Sequence, residues 1–175
     1  MVLYFSAQAC YANEIYVNQV GDNVDIDIVQ DGQNNSIRSL NTTSGDASIN
    51  GSNKTFTVTQ QGNNNRAGFW TNGTNQVMSL IQDGNSNVSA MDNHGNNNDM
   101  SVAIDGDSNV THTEIGNGSD INNQISVTIN DGDSNTLYTE VQNGSTNSLD
   151  AQVHKQSNNV NRGTVNGSNN NVKAK

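Results

Sequence analysis

Short runs of alternating apolar and polar residues recur along the chain, and each run ends a few residues before a glycine. Apolar side chains mostly occupy the sixth and fourth positions before that glycine, with polar side chains between them. A period of two predicts β-strands that bury one face and solvate the other. The predicted core residues are Ile26, Ile28, Phe56, Val58, Met78, Leu80, Met100, Val102 and Ile104.

Glycine recurs at a regular interval between these runs. From Gly51 to Gly106 the interval is eleven residues, and small insertions lengthen it toward the C-terminus. An asparagine follows most of these glycines at the second or third position. Both residue types tolerate the positive φ that a tight turn requires. The predicted turn glycines are Gly21, Gly32, Gly51, Gly62, Gly73, Gly84, Gly95, Gly106, Gly118, Gly132, Gly144 and Gly167.

Strongly and weakly apolar half-repeats alternate, so the structural unit is 22 residues long: strand, turn, strand, turn. Such a unit cannot bury its apolar face alone, but stacked units can. We therefore predict an all-β fold, a β-solenoid of about seven coils, for residues 13–175. The segment Gln33–Asn50 is less regular and contains an insertion around residues 42–46.

Glutamines precede several of the turn glycines by two residues: Gln19, Gln30, Gln60, Gln82 and Gln142. A stacked amide side chain can donate to one neighbour and accept from the other. We predict that these glutamines form an amide ladder along the solenoid.

Residues 1–12 differ from the rest of the chain. A short apolar run precedes the small-residue stretch Ser6–Ala12, which contains the Ala-x-Ala pattern of a cleavage site. We interpret residues 1–12 as a truncated secretory signal segment. Two alternatives stay open: a lipid anchor on Cys10, and an N-terminal cap or strand of a protein that is never secreted.

Composition and charge narrow the classes of function. A net charge of -10 with only seven Lys and Arg leaves no basic surface for nucleic acid. No apolar run is long enough for membrane insertion. Proline is absent, as an unbroken strand ladder requires. A single cysteine excludes an intrachain disulfide.

Candidate chemistry is sparse. Asp31, Asp83, Asp105 and Asp131 precede turn glycines and suggest either a column of Ca²⁺ ligands or solvated turn acids that repel one another and slow assembly. His94, His112 and His154 have no metal-ligand spacing, and we expect them at exposed strand or turn positions. Trp70 beside Phe69 indicates packing between coils, with a carbohydrate platform as the alternative. We expect no catalytic residues, no bound metal and no cofactor. We therefore predict that the protein is not an enzyme.

The repeat resembles the curlin repeat of bacterial curli fibre subunits. The residues that carry the resemblance are Gln19–Asn23, Gln30–Asn35, Gln82–Asn87 and Gln142–Asn147, each with a Gln-x-Gly start and a following Asn. Ile104 and Asn130 stand where the pattern has glutamine. The resemblance implies secretion, cross-β homopolymerisation into extracellular fibres, and a role in surface adhesion and biofilm matrix. A nucleator or a secretion apparatus would be further partners.

The alternative is a β-solenoid in a phage virion appendage or another surface-display structure, which would need capped ends to prevent axial growth. Lys173 and Lys175 place charge near the end of the chain, as a cap or gatekeeper would.

Overall fold

The computed structural model describes residues 12–39, 45–115, 124–130, 136–142, 148–154, 160–166 and 171–174. The proposed signal segment lies outside these residues except for Ala12. Four predicted turn glycines, Gly118, Gly132, Gly144 and Gly167, and the turn acid Asp131 also lie outside them.

All regular structure in the described residues is β-strand. The first eight strands are β1 Glu14–Ile15, β2 Val17–Val20, β3 Val24–Asp31, β4 Ser36–Arg38, β5 Ala47–Asn50, β6 Lys54–Gln61, β7 Arg66–Asn72 and β8 Gln76–Asp83. The remaining strands are β9 Val88–His94, β10 Asp99–Asp105, β11 Val110–Ile115, β12 Gln124–Asn130, β13 Thr136–Gln142, β14 Ser148–His154, β15 Val160–Asn166 and β16 Asn171–Ala174. No helix in this part of the chain has the length and hydropathy to cross a membrane.

The strands form two parallel sheets that face each other across one core. The seven-stranded sheet has the order β16-β14-β12-β10-β8-β6-β3. The nine-stranded sheet follows the path β1-β4-β7-β9-β11-β13-β15, with β2 and β5 beside it as the second halves of two interrupted strands. Each coil contributes one level to each sheet, so the predicted β-solenoid is confirmed.

The register of the sheets reproduces the repeat of the sequence. Lys54 pairs with Gln76, and Arg66 pairs with Val88, which are steps of 22 residues. The step from Val24 to Lys54 is 30 residues. The extra residues separate β4 from β5, at the irregular segment that the sequence indicated.

The core is more apolar on one wall than on the other. The seven-stranded sheet contributes Phe56, Met78, Leu80, Met100 and Val102, all at most 2% exposed. Both sheets also bury polar side chains, but these make up a larger share of the buried residues on the nine-stranded sheet, among them Thr71, Thr111 and Thr113. Phe56 and Phe69 join the two walls edge to face, with ring centroids 5.1 Å apart. The weaker half-repeat of the sequence therefore forms the more polar wall.

Candidate functional site: the side-chain ladders and the first coil

The turns are built for close stacking of successive coils. Gly62 has a φ of 94°, and a Cβ at this position would overlap the carbonyl oxygen of Gly84 in the next coil. The residue two positions later is left-handed, as at Asn64 and Ser86, whose φ is 61° in each. Glycine is therefore required both for its backbone conformation and for its lack of a side chain.

The glutamine ladder runs along the inner face of the seven-stranded sheet. The Gln30 amide donates to Oε1 of Gln60 at 2.6 Å, and the Gln60 amide donates to Oε1 of Gln82 at 2.8 Å. The Gln82 amide then donates to the carbonyl oxygen of Arg66 at 3.1 Å. Ile104 follows Gln82 in register, so the ladder ends there. Gln60 and Gln82 are fully buried.

Two of the predicted ladder residues belong to the other sheet. Gln19 lies on β2 and pairs with Ile49, which has no amide, so the Gln19 amide donates to the carbonyl oxygen of Gly21 instead. Gln142 lies on β13 in register with Asn166. The prediction that both join the Gln30 ladder is wrong, because consecutive half-repeats place their strands in opposite sheets.

A second ladder is buried at a corner of the solenoid. It consists of asparagines that the sequence indicated only as turn residues. The Asn65 amide donates to the carbonyl oxygen of Gly84 at 2.8 Å, and Asn65 Oδ1 accepts the backbone N–H of Asn87 at 3.0 Å. Asn87 makes the same two bonds to Gly106 and Asn109. Each asparagine of this ladder thus forms hydrogen bonds with backbone C=O and N–H groups in the turn of the coil that follows.

A third ladder is exposed on the opposite corner. The amide of Asn23 donates to Asn53, that of Asn53 to Asn75, and that of Asn75 to Asn97, at 2.9–3.2 Å. These four residues are also left-handed. The same residue type therefore supplies both the turn conformation and a hydrogen bond between coils.

Lys54 is the residue that sequence reasoning missed. Its side chain is 1% exposed, and Nζ donates to Oγ1 of Thr71 at 2.6 Å. Burial lowers the pKa of Lys54 from 10.5 to about 8. Lys54 is in register with the buried Gln76. This equivalence within the repeat was the one signal from which the burial of Lys54 could have been predicted.

The turn acids do not form a continuous column. Asp31 is followed in register by Gln61, and only Asp83 and Asp105 are direct neighbours. All three aspartates are exposed. Within the described residues, no group of three or more His, Cys, Asp or Glu side chains could hold a metal ion.

The outer face of the nine-stranded sheet carries a second group of titratable side chains. Asp92, Glu114 and Glu140 are consecutive in register. His94 Nε2 lies 2.7 Å from Asp92 Oδ1. Burial raises the pKa of Asp92, and His94 partly opposes this shift. His94 and His112 are half-buried on this face, whereas the sequence suggested exposed positions; His154 has only its backbone described.

Phe69 and Trp70 point to opposite sides of their strand. Phe69 is buried in the core, as packing between coils requires, whereas Trp70 is 43% exposed on the outer face. The Trp70 ring contacts the His94 ring edge to face at 5.3 Å. The Trp70 ring therefore packs against the next coil on the outer face, whereas Phe69 packs inside the core.

The first coil is incompletely covered. Ile26 and Ile28 are inward-facing but only half-buried, whereas their counterparts in later coils are buried. Ile15 and Val20 of the same coil are 50% and 59% exposed. Among the described strands, β3 pairs with β6 alone and leaves its other edge unpaired. This edge is the place where a further strand layer would fit.

Comparisons with known protein families, with curated proteins and with solved structures found no match.

Proposed function

We propose that this chain is a structural subunit, not an enzyme, and that it self-assembles by stacking solenoid on solenoid into extracellular fibres similar to curli. Such fibres would serve surface adhesion and a biofilm matrix. The proposal includes secretion, with residues 1–12 as the signal segment.

The observation that carries the proposal is the first coil. Among the described strands, it combines an unpaired parallel strand edge with the half-buried side chains of Ile26 and Ile28. An open edge of this kind is a template for another strand, and proteins that stay monomeric usually block it. The ladders that start at Gln30 and Asn23 support the proposal in a general way, because they show that side-chain amides join successive coils of this chain.

The experiment is to incubate the purified chain, and in parallel the chain that begins at Asn13, and to follow sedimentation and electron microscopy over time. The proposal expects unbranched fibres whose growth preformed fibre fragments accelerate. A chain that stays monomeric at every concentration would overturn it and would favour the alternative, a capped solenoid in a virion appendage or surface-display structure.

A further inference from the structure

The two ends of the described solenoid differ in charge. Residues 12–31, which form the first coil, contain five carboxylate side chains and no lysine or arginine: Glu14, Asp22, Asp25, Asp27 and Asp31. Residues 155–175 contain four of the chain's seven basic residues and no aspartate or glutamate: Lys155, Arg162, Lys173 and Lys175. The last strands of both sheets, β15 and β16, lie in this basic segment.

We infer that the first coil of one copy docks on the last coil of a second copy, and that these opposite charges select the head-to-tail arrangement. The inference rests on the proposed self-assembly and specifies its polarity. A contact between two first coils would bring carboxylates close to carboxylates, and a contact between two last coils would bring basic side chains close to basic side chains. Repulsion between like charges disfavours both arrangements.

Lys173 and Asp27 occupy the same column of the seven-stranded sheet. The register runs from Asp27 through Thr57, Ser79, Ser101, Ser126 and Asp150 to Lys173. A second copy that continues this parallel register would place its Asp27 about 4.8 Å from Lys173. Asp27 is exposed, so its carboxylate is available for such a pair. Opposite charges at neighbouring positions of a sheet attract.

Arg162 is a basic residue on β15, the last described strand of the nine-stranded sheet. It lies in the column that starts at Arg38 and passes through Gly68, Ala90, His112 and Tyr138. Arg38 itself pairs with Glu14 and places its guanidinium 5.2 Å from the Tyr16 ring centroid. In the stacked pair, β15 would adjoin β1 of the next copy. The positions of Arg162 and Arg38 would then lie on the two sides of the strand that contains Glu14.

The same register also covers the apolar side of the first coil. Val172 continues the column of Ile26, and Ala174 continues that of Ile28. A second copy therefore supplies small apolar residues for the half-buried isoleucines together with charges of the complementary sign. In this arrangement Lys173 promotes axial growth, which is the reverse of the gatekeeper role that its position in the sequence suggested.

A charge-swap experiment on the full chain tests the inference. Elongation of preformed fibre fragments is measured at low ionic strength for Asp27→Lys, for Lys173→Glu and for the double variant. Asp99→Lys is the matched control, because Asp99 is an exposed aspartate on the same face of the same sheet, in a middle coil. Asp99→Lys combined with Lys173→Glu has the same net charge as the swap but cannot re-form the pair.

Each junction variant should elongate roughly three- to tenfold more slowly than the parent chain, since one exposed attraction becomes a repulsion. The swap should elongate faster than either single junction variant, whereas the control double variant stays slow; recovery is incomplete because Lys173→Glu also faces Asp150 of its own copy. Asp27→Asn and Lys173→Gln, which only remove the attraction, should give smaller losses with an unchanged circular dichroism spectrum.

Single variants that elongate at the parent rate, or a swap no faster than its single variants, would overturn the inference and leave the proposed fibre function intact. If the parent chain forms no fibres, the proposed function fails and this inference fails with it.

Discussion

Lys54 and Thr71 lie in opposite sheets of the solenoid and are joined inside it by a 2.6 Å hydrogen bond from Nζ to Oγ1. A buried ammonium group opposes folding unless it is paired with an acid, because desolvation disfavours the charged form. The hydroxyl of Thr71 carries no charge. Lys54 is therefore a source of pH-dependent stability inside the solenoid.

Stability should rise as the pH increases from about 8 to 10.5. Over this range the folded chain has released the Lys54 proton while the unfolded chain still holds it, so deprotonation favours the folded state. The full gain is about 3 kcal/mol. Urea denaturation at pH 7 and at pH 10 measures it.

The matched variant is Lys54→Met, which keeps an unbranched side chain of similar length. It should be more stable than the parent at pH 7 by about 1–3 kcal/mol and should lose most of the rise toward pH 10. A variant that is destabilised at pH 7 and keeps the parent's pH dependence would show that Lys54 is not the responsible group.

Gln60→Ala should destabilise the chain by about 2–4 kcal/mol, because it leaves a cavity and removes both ladder bonds of a fully buried amide. Gln61→Ala, at the adjacent exposed position, should change the free energy of unfolding by less than about 0.5 kcal/mol. Chemical denaturation of the two variants provides the comparison. Equal effects would mean that the buried ladder contributes no stability of its own.

Gly62→Ala should cost about 3 kcal/mol or more, because its Cβ would overlap the carbonyl oxygen of Gly84 at a positive φ. Gly163 on β15 is the control, since a Cβ there would meet Leu149 at an ordinary distance of 3.6 Å. Gly163→Ala should change stability by less than about 1 kcal/mol. Thermal unfolding of the two variants measures the difference in their stabilities. A Gly62→Ala variant as stable as the parent would contradict the tight stacking of the turns.

Ile28→Ser should slow fibre elongation about tenfold, since the part of Ile28 that stays exposed in the single solenoid would be buried at the junction. Val29→Ser is the control: Val29 is 49% exposed and faces outward from the same strand. Seeded elongation rates measure both variants. Equal rates would place the growing surface elsewhere than at the first coil.

The fold could be predicted from the sequence because its strongest constraints are periodic. Gly62 and Gly84 recur where the coils come closest, and Phe56 and Met78 recur where the core needs apolar side chains. The ladder from Gln30 to Gln82 follows from the same spacing. These features repeat because each coil meets the same environment as its neighbours.

The sequence predicts less accurately those features that depend on which of the two sheets a residue belongs to. Gln19 and Gln30 have the same local motif, but their strands enter opposite sheets and only Gln30 meets another glutamine. Lys54 would ordinarily be expected at the surface. Its burial follows only from its equivalence with Gln76, which the register of β6 and β8 makes visible.

The axial repeat of the fibre, measured by cryo-electron microscopy, tests the central claim most directly. Seven strand levels at about 4.8 Å each predict one subunit every 34 Å or so along the axis, with a strong 4.8 Å layer line. Fibres that show the 4.8 Å spacing but place one whole chain in each layer would contradict the stacking of intact solenoids, and a chain that forms no fibre would contradict self-assembly itself.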